Sequence, residues 1–197
     1  MFSEIYHERL VNNIYFDTYD YKNYIDNKCG NIHRAKPRIR WYGELFSRIE
    51  NPVLELKVKR GHLGTKKSFP LQPFTLDYET SLKSISKIFL SSNIPELVLE
   101  LLKDMGMTVI TSYSRRYFLS ADKQYRITID WNLRYYDIEN FKNTFLNKSY
   151  DSQTTILELK YSSISDSKAG MITNHFPFRF SKNSKYENGV DKLIKYC

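Results

Sequence analysis

The chain has 197 residues, a single-domain length, and a formal charge of +8 with a pI near 9.3, a balance that calls for a polyanionic partner: nucleic acid, a phosphate-rich small molecule or an anionic membrane surface. Its two cysteines, Cys29 and Cys197, make no disulfide framework, so free thiols in a reducing, cytoplasmic setting are expected. No apolar run approaches the roughly 18 residues of a membrane span, and Met1-Phe2-Ser3-Glu4 lacks the basic and apolar regions of a signal peptide.

In chain order, Asn12 to Thr18 reads as a strand with Ile14 and Phe16 on one face. Asp17, Thr18 or Asp20 can cap a short helix through Tyr24 to Lys28, which Gly30 ends. Residues 36–45 form a second strand and residues 53–60 a third, and Gly61 and Gly64 allow a reversal into Lys66 to Leu71. Leu82, Ile85 and Phe89 recur at helical spacing within 78–89, as do Ile94, Leu97, Val98, Leu101, Leu102 and Met105 in the next segment. Asn93 caps that second helix, Pro95 sits in its first turn and Gly106 stops it. Strands resume at 108–120 and 125–133. Residues 137–153 read as a polar surface loop with a weak helix, 155–161 as a strand, Asp166 to Asn174 as a helix, and a last helix follows Ser184. One domain over residues 1–197 is expected.

The strand at 53–60 alternates strictly, with Leu54, Leu56 and Val58 on one face and Glu55, Lys57 and Lys59 on the other. Arg38-Ile39-Arg40-Trp41-Tyr42, Tyr113-Ser114-Arg115-Arg116-Tyr117, Arg126-Ile127-Thr128-Ile129-Asp130 and Leu157-Glu158-Leu159-Lys160-Tyr161 repeat the layout. Two architectures satisfy it. Either the charged faces meet water around a conventional core, or the amphipathic helices cover the apolar faces from outside and the charged faces line a closed sheet. In the second case Arg38, Arg40, Lys57, Lys59, Lys66, Arg115, Arg126 and Lys160 outnumber Glu55, Asp130 and Glu158. Like charges about 5 Å apart repel by roughly 3 kcal/mol at an effective dielectric near 20, so such an interior must hold water, counterions or a polyanion.

These segments together resemble the VTC (vacuolar transporter chaperone) domain of the triphosphate tunnel metalloenzyme superfamily. The resemblance runs along nearly the whole chain. It rests on Val11-Asn12-Asn13-Ile14-Tyr15-Phe16-Asp17-Thr18, Arg38-Ile39-Arg40-Trp41-Tyr42-Gly43, Leu54-Glu55-Leu56-Lys57, Tyr113-Ser114-Arg115, Leu157-Glu158-Leu159-Lys160 and Phe180-Ser181-Lys182-Asn183-Ser184-Lys185-Tyr186. It implies an α+β fold: an antiparallel β-barrel or tunnel with a charged interior and helices packed outside. It also implies that Arg38, Arg40, Lys57, Lys66, Arg115 and Arg126 meet phosphate oxygens with Tyr113 beside them, that Lys59 and Lys160 belong to the same lining, and that Lys185 reaches the tunnel end from the C-terminal helix. Arg38, Arg40, Lys57, Arg115, Arg126 and Lys185 are the candidate catalytic set, and Glu158 is the expected ligand of Mn²⁺ or Mg²⁺. Family members open with a strand carrying a glutamate and a lysine; here Met1 lies only a dozen residues upstream of the Tyr-Phe-Asp segment, so an N-terminally incomplete domain is expected.

The function this resemblance implies is metal-dependent polyphosphate synthesis from ATP. Hydrolysis of triphosphate or polyphosphate is the nearest alternative, and a non-catalytic polyphosphate-binding module is another. Nucleic-acid binding is a weaker reading: the 16 Tyr and 12 Phe could be stacking platforms, but no compact basic run or recognised nucleic-acid motif accompanies them. His7, His33, His62 and His175 are scattered without metal-ligand spacing.

Overall fold

The computed structural model describes residues 1–60, 63–162 and 165–193, with the side chains of His33, Lys59, Arg60, Leu63 and Ser167 outside the description; Gly61, His62 and Cys197 also lie outside it. The elements are β1 (Phe2–Thr18), α1 (Lys22–Lys28), β2 (His33–Tyr42), β3 (Arg48–Ile49), β4 (Val53–Arg60), β5 (Leu63–Pro70), β6 (Phe74–Thr75), α2 (Leu82–Ser91), α3 (Glu96–Lys103), β7 (Met105–Ser120), β8 (Tyr125–Asp137), β9 (Lys148–Asp151), β10 (Ile156–Tyr161), α4 (Asp166–Thr173) and α5 (Lys185–Leu193). One large antiparallel sheet runs in the order β10-β8-β7-β1-β2-β4-β5, with β9 added to the C-terminal half of β8. The α+β class holds. The expected closure does not: among the described residues β10 and β5 end the sheet without pairing to each other.

The apolar stripes of the strands do face helices. Ile14, Phe16, Ile39, Trp41, Leu54 and Leu56 form one cluster with Ile85 and Phe89 of α2, Val98 and Leu102 of α3, and Ile49 and Phe74 of the small β3–β6 sheet. Ile127 is buried but lies outside that cluster. Helix α2 starts at Leu82, four residues after the expected segment 78–89 opens, because Ser81 and Ser84 make a reciprocal capping box there. Pro95, not Asn93, occupies the N-cap position of α3 and makes no side-chain cap there, and Met105 already belongs to β7. Segment 137–153 contains β9 in place of a weak helix. Strand β1 starts at Phe2, ten residues earlier than Asn12; its N-terminal half pairs with β7 while only its C-terminal half pairs with both β7 and β2.

On the opposite face of the sheet lies α5, whose Tyr186 and Val190 pack on Tyr15, Tyr24 and Val109. Gly189 permits the close approach, since a Cβ there would stand 2.9 Å from Val109 Cγ2 and 3.0 Å from Tyr135 Cδ1. Asp17, at the end of β1, ties three elements together. Its carboxylate accepts the backbone N–H groups of Asn23 and Tyr24 at 2.8 and 2.9 Å and the hydroxyl of Tyr186. It thereby caps α1 from outside the helix, whose own N-cap, Tyr21, makes no side-chain cap, and it anchors α5.

Candidate functional site

Period two sends Lys36, Arg38 and Arg40 of β2 to the face away from α2 and α3, and antiparallel register aligns them with the polar residues of the neighbouring strands. Lys36 stands opposite Lys57, which stands opposite Lys66; Arg38 stands opposite Glu55. Arg38 donates to Glu55 Oε2 through Nε at 2.9 Å and Nη2 at 2.6 Å, and to the Tyr15 hydroxyl at 3.0 Å. Arg40 lies 3.5 Å from the same Oε2, donates to Asn13 Oδ1 at 2.9 Å and reaches the Tyr113 hydroxyl at 3.4 Å. Lys66 closes on the other oxygen, Glu55 Oε1. Three cations therefore converge on one carboxylate whose side chain is only 8% exposed.

A second cluster adjoins it across β1. Arg115 holds Asp130 through Nε at 2.5 Å and Nη2 at 2.7 Å, and Lys185 from the first turn of α5 reaches Asp130 Oδ2 at 2.6 Å. The Lys185 ammonium also lies 4.6 Å from the centre of the buried Tyr113 ring, and the Arg115 guanidinium lies 5.3 Å from it. Tyr113 is thus the floor on which both cations rest.

The electrostatics follow from this crowding. Burial pushes the Glu55 carboxyl up, but Arg38 and Arg40, with the Lys66 and Arg38 hydrogen bonds, overcome it and hold the group at about 2. Burial likewise opposes the Asp130 carboxylate, and Arg115 and Lys185 override it downwards. Tyr15 is held below its ordinary value: burial is the largest single influence and acts upwards, and Arg38, Arg40 and Lys185 together outweigh it. Burial depresses Lys36, which Glu187 and Tyr15 partly support while Lys57 adds repulsion.

The remaining expected residues are placed less centrally. Lys57 is exposed in the row between Lys36 and Lys66. Arg126 is exposed at the start of β8, opposite Lys160 of β10. Lys160 lies 3.2 Å from Glu158, and both side chains are a little under half exposed. Burial acts upwards on the Glu158 carboxyl, and Lys160, then Arg115 and Lys185, bring it below its usual range, so the field of the central cluster reaches it. Lys36, Tyr15 and Asn13 were not anticipated as site residues. Lys36 was within reach, being two residues before Arg38 on the same strand face; its Nζ lies 2.9 Å from Ser184 Oγ and 3.1 Å from Glu187 Oε1, closing the α5 end of the face.

Among the described residues no group of three or more His, Cys, Asp or Glu side chains is placed to hold a metal ion. Glu55 and Asp130 are committed to three and two cations, whereas Glu158 meets one exposed lysine. A lone hard carboxylate suits Mg²⁺ or Mn²⁺, which take one or two protein carboxylates and fill the remaining positions with phosphate oxygens and water. A separate cavity of about 800 Å³ is lined by Asp17, Asp104, Asp137 and Glu139 with Lys103, and its predominantly acidic wall makes it a poor anion site. No helix among the described residues is long and apolar enough to cross a membrane.

Comparison with known proteins adds the following. The family model of the VTC domain matches residues 2–194. Among solved structures, HpAC1 from Hippeastrum, which shows a dominant triphosphatase activity, is similar at a TM-score of 0.51 and 14% identity, over 96% of this chain and 85% of that one. The PH1819 protein from Pyrococcus horikoshii OT3 is similar at a TM-score of 0.49 and 13% identity, over 97% and 85% of the two chains. No curated protein matches in sequence.

Proposed function

The chain belongs to the VTC domain family, and from that premise we propose that its basic face binds a row of phosphates and transfers a phosphoryl group from ATP to the end of a polyphosphate chain. The observation that carries this reading is the convergence of Arg38, Arg40 and Lys66 on one carboxylate and of Arg115 and Lys185 on another. Donors fixed around buried anionic oxygens are already oriented for the oxygens of phosphate, and guanidinium forks keep further N–H groups to offer. Phosphoryl transfer needs little covalent help from the protein; it needs positioning and stabilisation of charge on the transferring group. Arg38, Arg40, Lys66, Arg115 and Lys185 supply the charge. Lys57, Arg126 and Lys160 extend it along the face at exposed positions, and the backbone of β4 carries Lys59 past the same row. Tyr113 and Asn13 fix the orientation of Arg40 and Lys185. Glu158 is the residue that would hold Mn²⁺ or Mg²⁺, which when bound neutralises charge shared between phosphate oxygens.

The test is turnover with ATP and Mn²⁺, with polyphosphate and free phosphate followed separately. Polymer formation is expected, and its loss in Glu158→Gln with tripolyphosphate binding retained. Free phosphate without polymer would replace this reading with hydrolysis, in keeping with the triphosphatase activity of the similar Hippeastrum protein. Tight polyphosphate binding with no turnover would leave a binding module.

A further inference from the structure

The basic face does not stop at its arginines. Along β2 the face that presents Arg38 and Arg40 presents Tyr42 next, one two-residue step of about 6.8 Å further on. Along β7 the same face presents Tyr113, Arg115 and then Tyr117. Register brings these ends together: Tyr42 and Tyr113 are both paired with Val11 of β1, Arg115 is paired with Arg9, and Tyr117 with Tyr6. The β1–β7 ladder shifts register between Glu4 and Tyr6 and again between Tyr6 and Arg9. Such bulges re-aim side chains beside functional sites.

The result is an ordered aromatic group around one cation. The Arg9 guanidinium lies 4.2 Å from the centre of the Tyr6 ring, 5.3 Å from that of Tyr42 and 5.8 Å from that of Tyr117. Tyr6 and Tyr117 meet edge to face at 5.6 Å, and the Tyr117 hydroxyl donates to that of Tyr42 at 3.3 Å. Arg115 is 5.7 Å from the Tyr117 ring, so the phosphate-binding cations and the aromatic group share a member. Tyr6 and Tyr42 are nevertheless 48% and 51% exposed. Arg9 differs from the deeper cations, since among the described residues no carboxylate lies within ion-pair distance of it.

We propose that Tyr6, Tyr42, Tyr117 and Arg9 form a stacking site for the base of a nucleoside triphosphate whose phosphates run along Arg115, Arg40 and Arg38. This rests on the reading of the basic face as a triphosphate site and adds to it the recognition of the donor nucleotide. Aromatic rings and a guanidinium plane both stack on a nucleobase, and the contact tolerates any base because each has a π face. The site therefore distinguishes a nucleotide from inorganic triphosphate more than it distinguishes one base from another. It also gives the two substrates different ends: a donor carries a base to be held, and a phosphate chain does not.

The experiment measures equilibrium binding of ATP and of inorganic tripolyphosphate to the full chain, to Tyr42→Ala and to Tyr42→Phe, with thermal melts to confirm that each variant folds. Tyr42→Ala is expected to weaken ATP about tenfold, an ordinary loss for one stacked base, and to leave tripolyphosphate within about twofold. Tyr42→Phe, which keeps the ring, is expected to stay within about twofold for both ligands. Equal effects of Tyr42→Ala on both ligands, or none on ATP while tripolyphosphate binds normally, would overturn the stacking site and leave the phosphate face standing. If the unaltered chain binds neither ligand, the phosphate face fails and the stacking site fails with it.

Discussion

Glu55 offers the sharpest test of how this face is balanced. Its side chain is 8% exposed and meets Arg38 Nη2 at 2.6 Å, Arg40 Nη1 at 3.5 Å and Lys66. The fall of its carboxyl from 4.5 to about 2 corresponds to about 3 kcal/mol of favourable interaction with the ionised form, at about 1.4 kcal/mol per unit. Removing one partner of a buried charge cluster typically costs about 3–5 kcal/mol, because the cations left behind remain desolvated. Glu55→Gln keeps the shape and removes the charge, so a loss of about 3 kcal/mol is expected at pH 7. In a domain of this size that corresponds to a fall of roughly 6–12 °C in melting temperature. If the basic face binds phosphate as proposed, a phosphate chain stands in for the lost carboxylate. Tripolyphosphate at one hundred times its dissociation constant stabilises any protein that binds it by about 2.7 kcal/mol, and at a fixed concentration Glu55→Gln should gain more than the unaltered chain, because its anion site starts empty of charge. Thermal unfolding of both proteins with and without tripolyphosphate measures this directly. Equal shifts in the two proteins, or an unchanged melting temperature for Glu55→Gln alone, would refute the reasoning.

Three further outcomes follow from particular contacts. Because the folded Glu55 carboxyl lies below its ordinary value, its stabilising effect is full above about pH 4.5 and fades as pH falls through about 2; the difference in melting temperature between the unaltered chain and Glu55→Gln should shrink across that window, and a constant difference would contradict it. Gly189→Ala forces a methyl against Val109 and Tyr135, so a loss of about 1–3 kcal/mol is expected in chemical denaturation. Lys185→Ala strips one of the two cations from buried Asp130 and should weaken tripolyphosphate binding by tenfold or more, whereas Arg126→Ala, at an exposed position, should change it by a few-fold at most; direct titration compares them.

The two faces of the sheet were legible because alternation is a local property: Leu54, Leu56 and Val58 could not share a side with Glu55 and Lys57, and the helices with apolar stripes had to cover one set. The helical cover and the proximity of Arg38, Arg40 and Arg115 follow from that rule once the strands are in order, whereas the place of Lys185 on the C-terminal helix comes from the family resemblance and not from alternation. What lay beyond it depended on pairing. Among the described residues the N-terminal half of β1 has a strand partner on one side only, and its residues 3–8 are exposed, so Ser3 to Glu8 show no buried stripe to read. Strands β3 and β6 have two residues each, too short for any period. Alternation puts Glu55 and Asp130 among the charges of one face and says no more; only cross-strand register shows that the two carboxylates gather different cations. Lys36 went unread although its spacing matched Arg38 and Arg40, because its role comes from Ser184 and Glu187, nearly 150 residues away.

The central position of β1 also governs how the chain can be made. Its first neighbour, β2, follows almost at once, but its second, β7, pairs Thr18 with Met105 and Phe2 with Ser120. At roughly 5–20 residues per second of synthesis, β1 waits on the order of ten seconds for that partner. During this interval the growing chain exposes a long strand edge, with Ile14 and Phe16 on one of its faces, beside the ribosome. Folding dominated by such distant pairings is slow once the chain is complete. The strand that organises the finished basic face is therefore the segment most open to capture by other chains before β7 arrives.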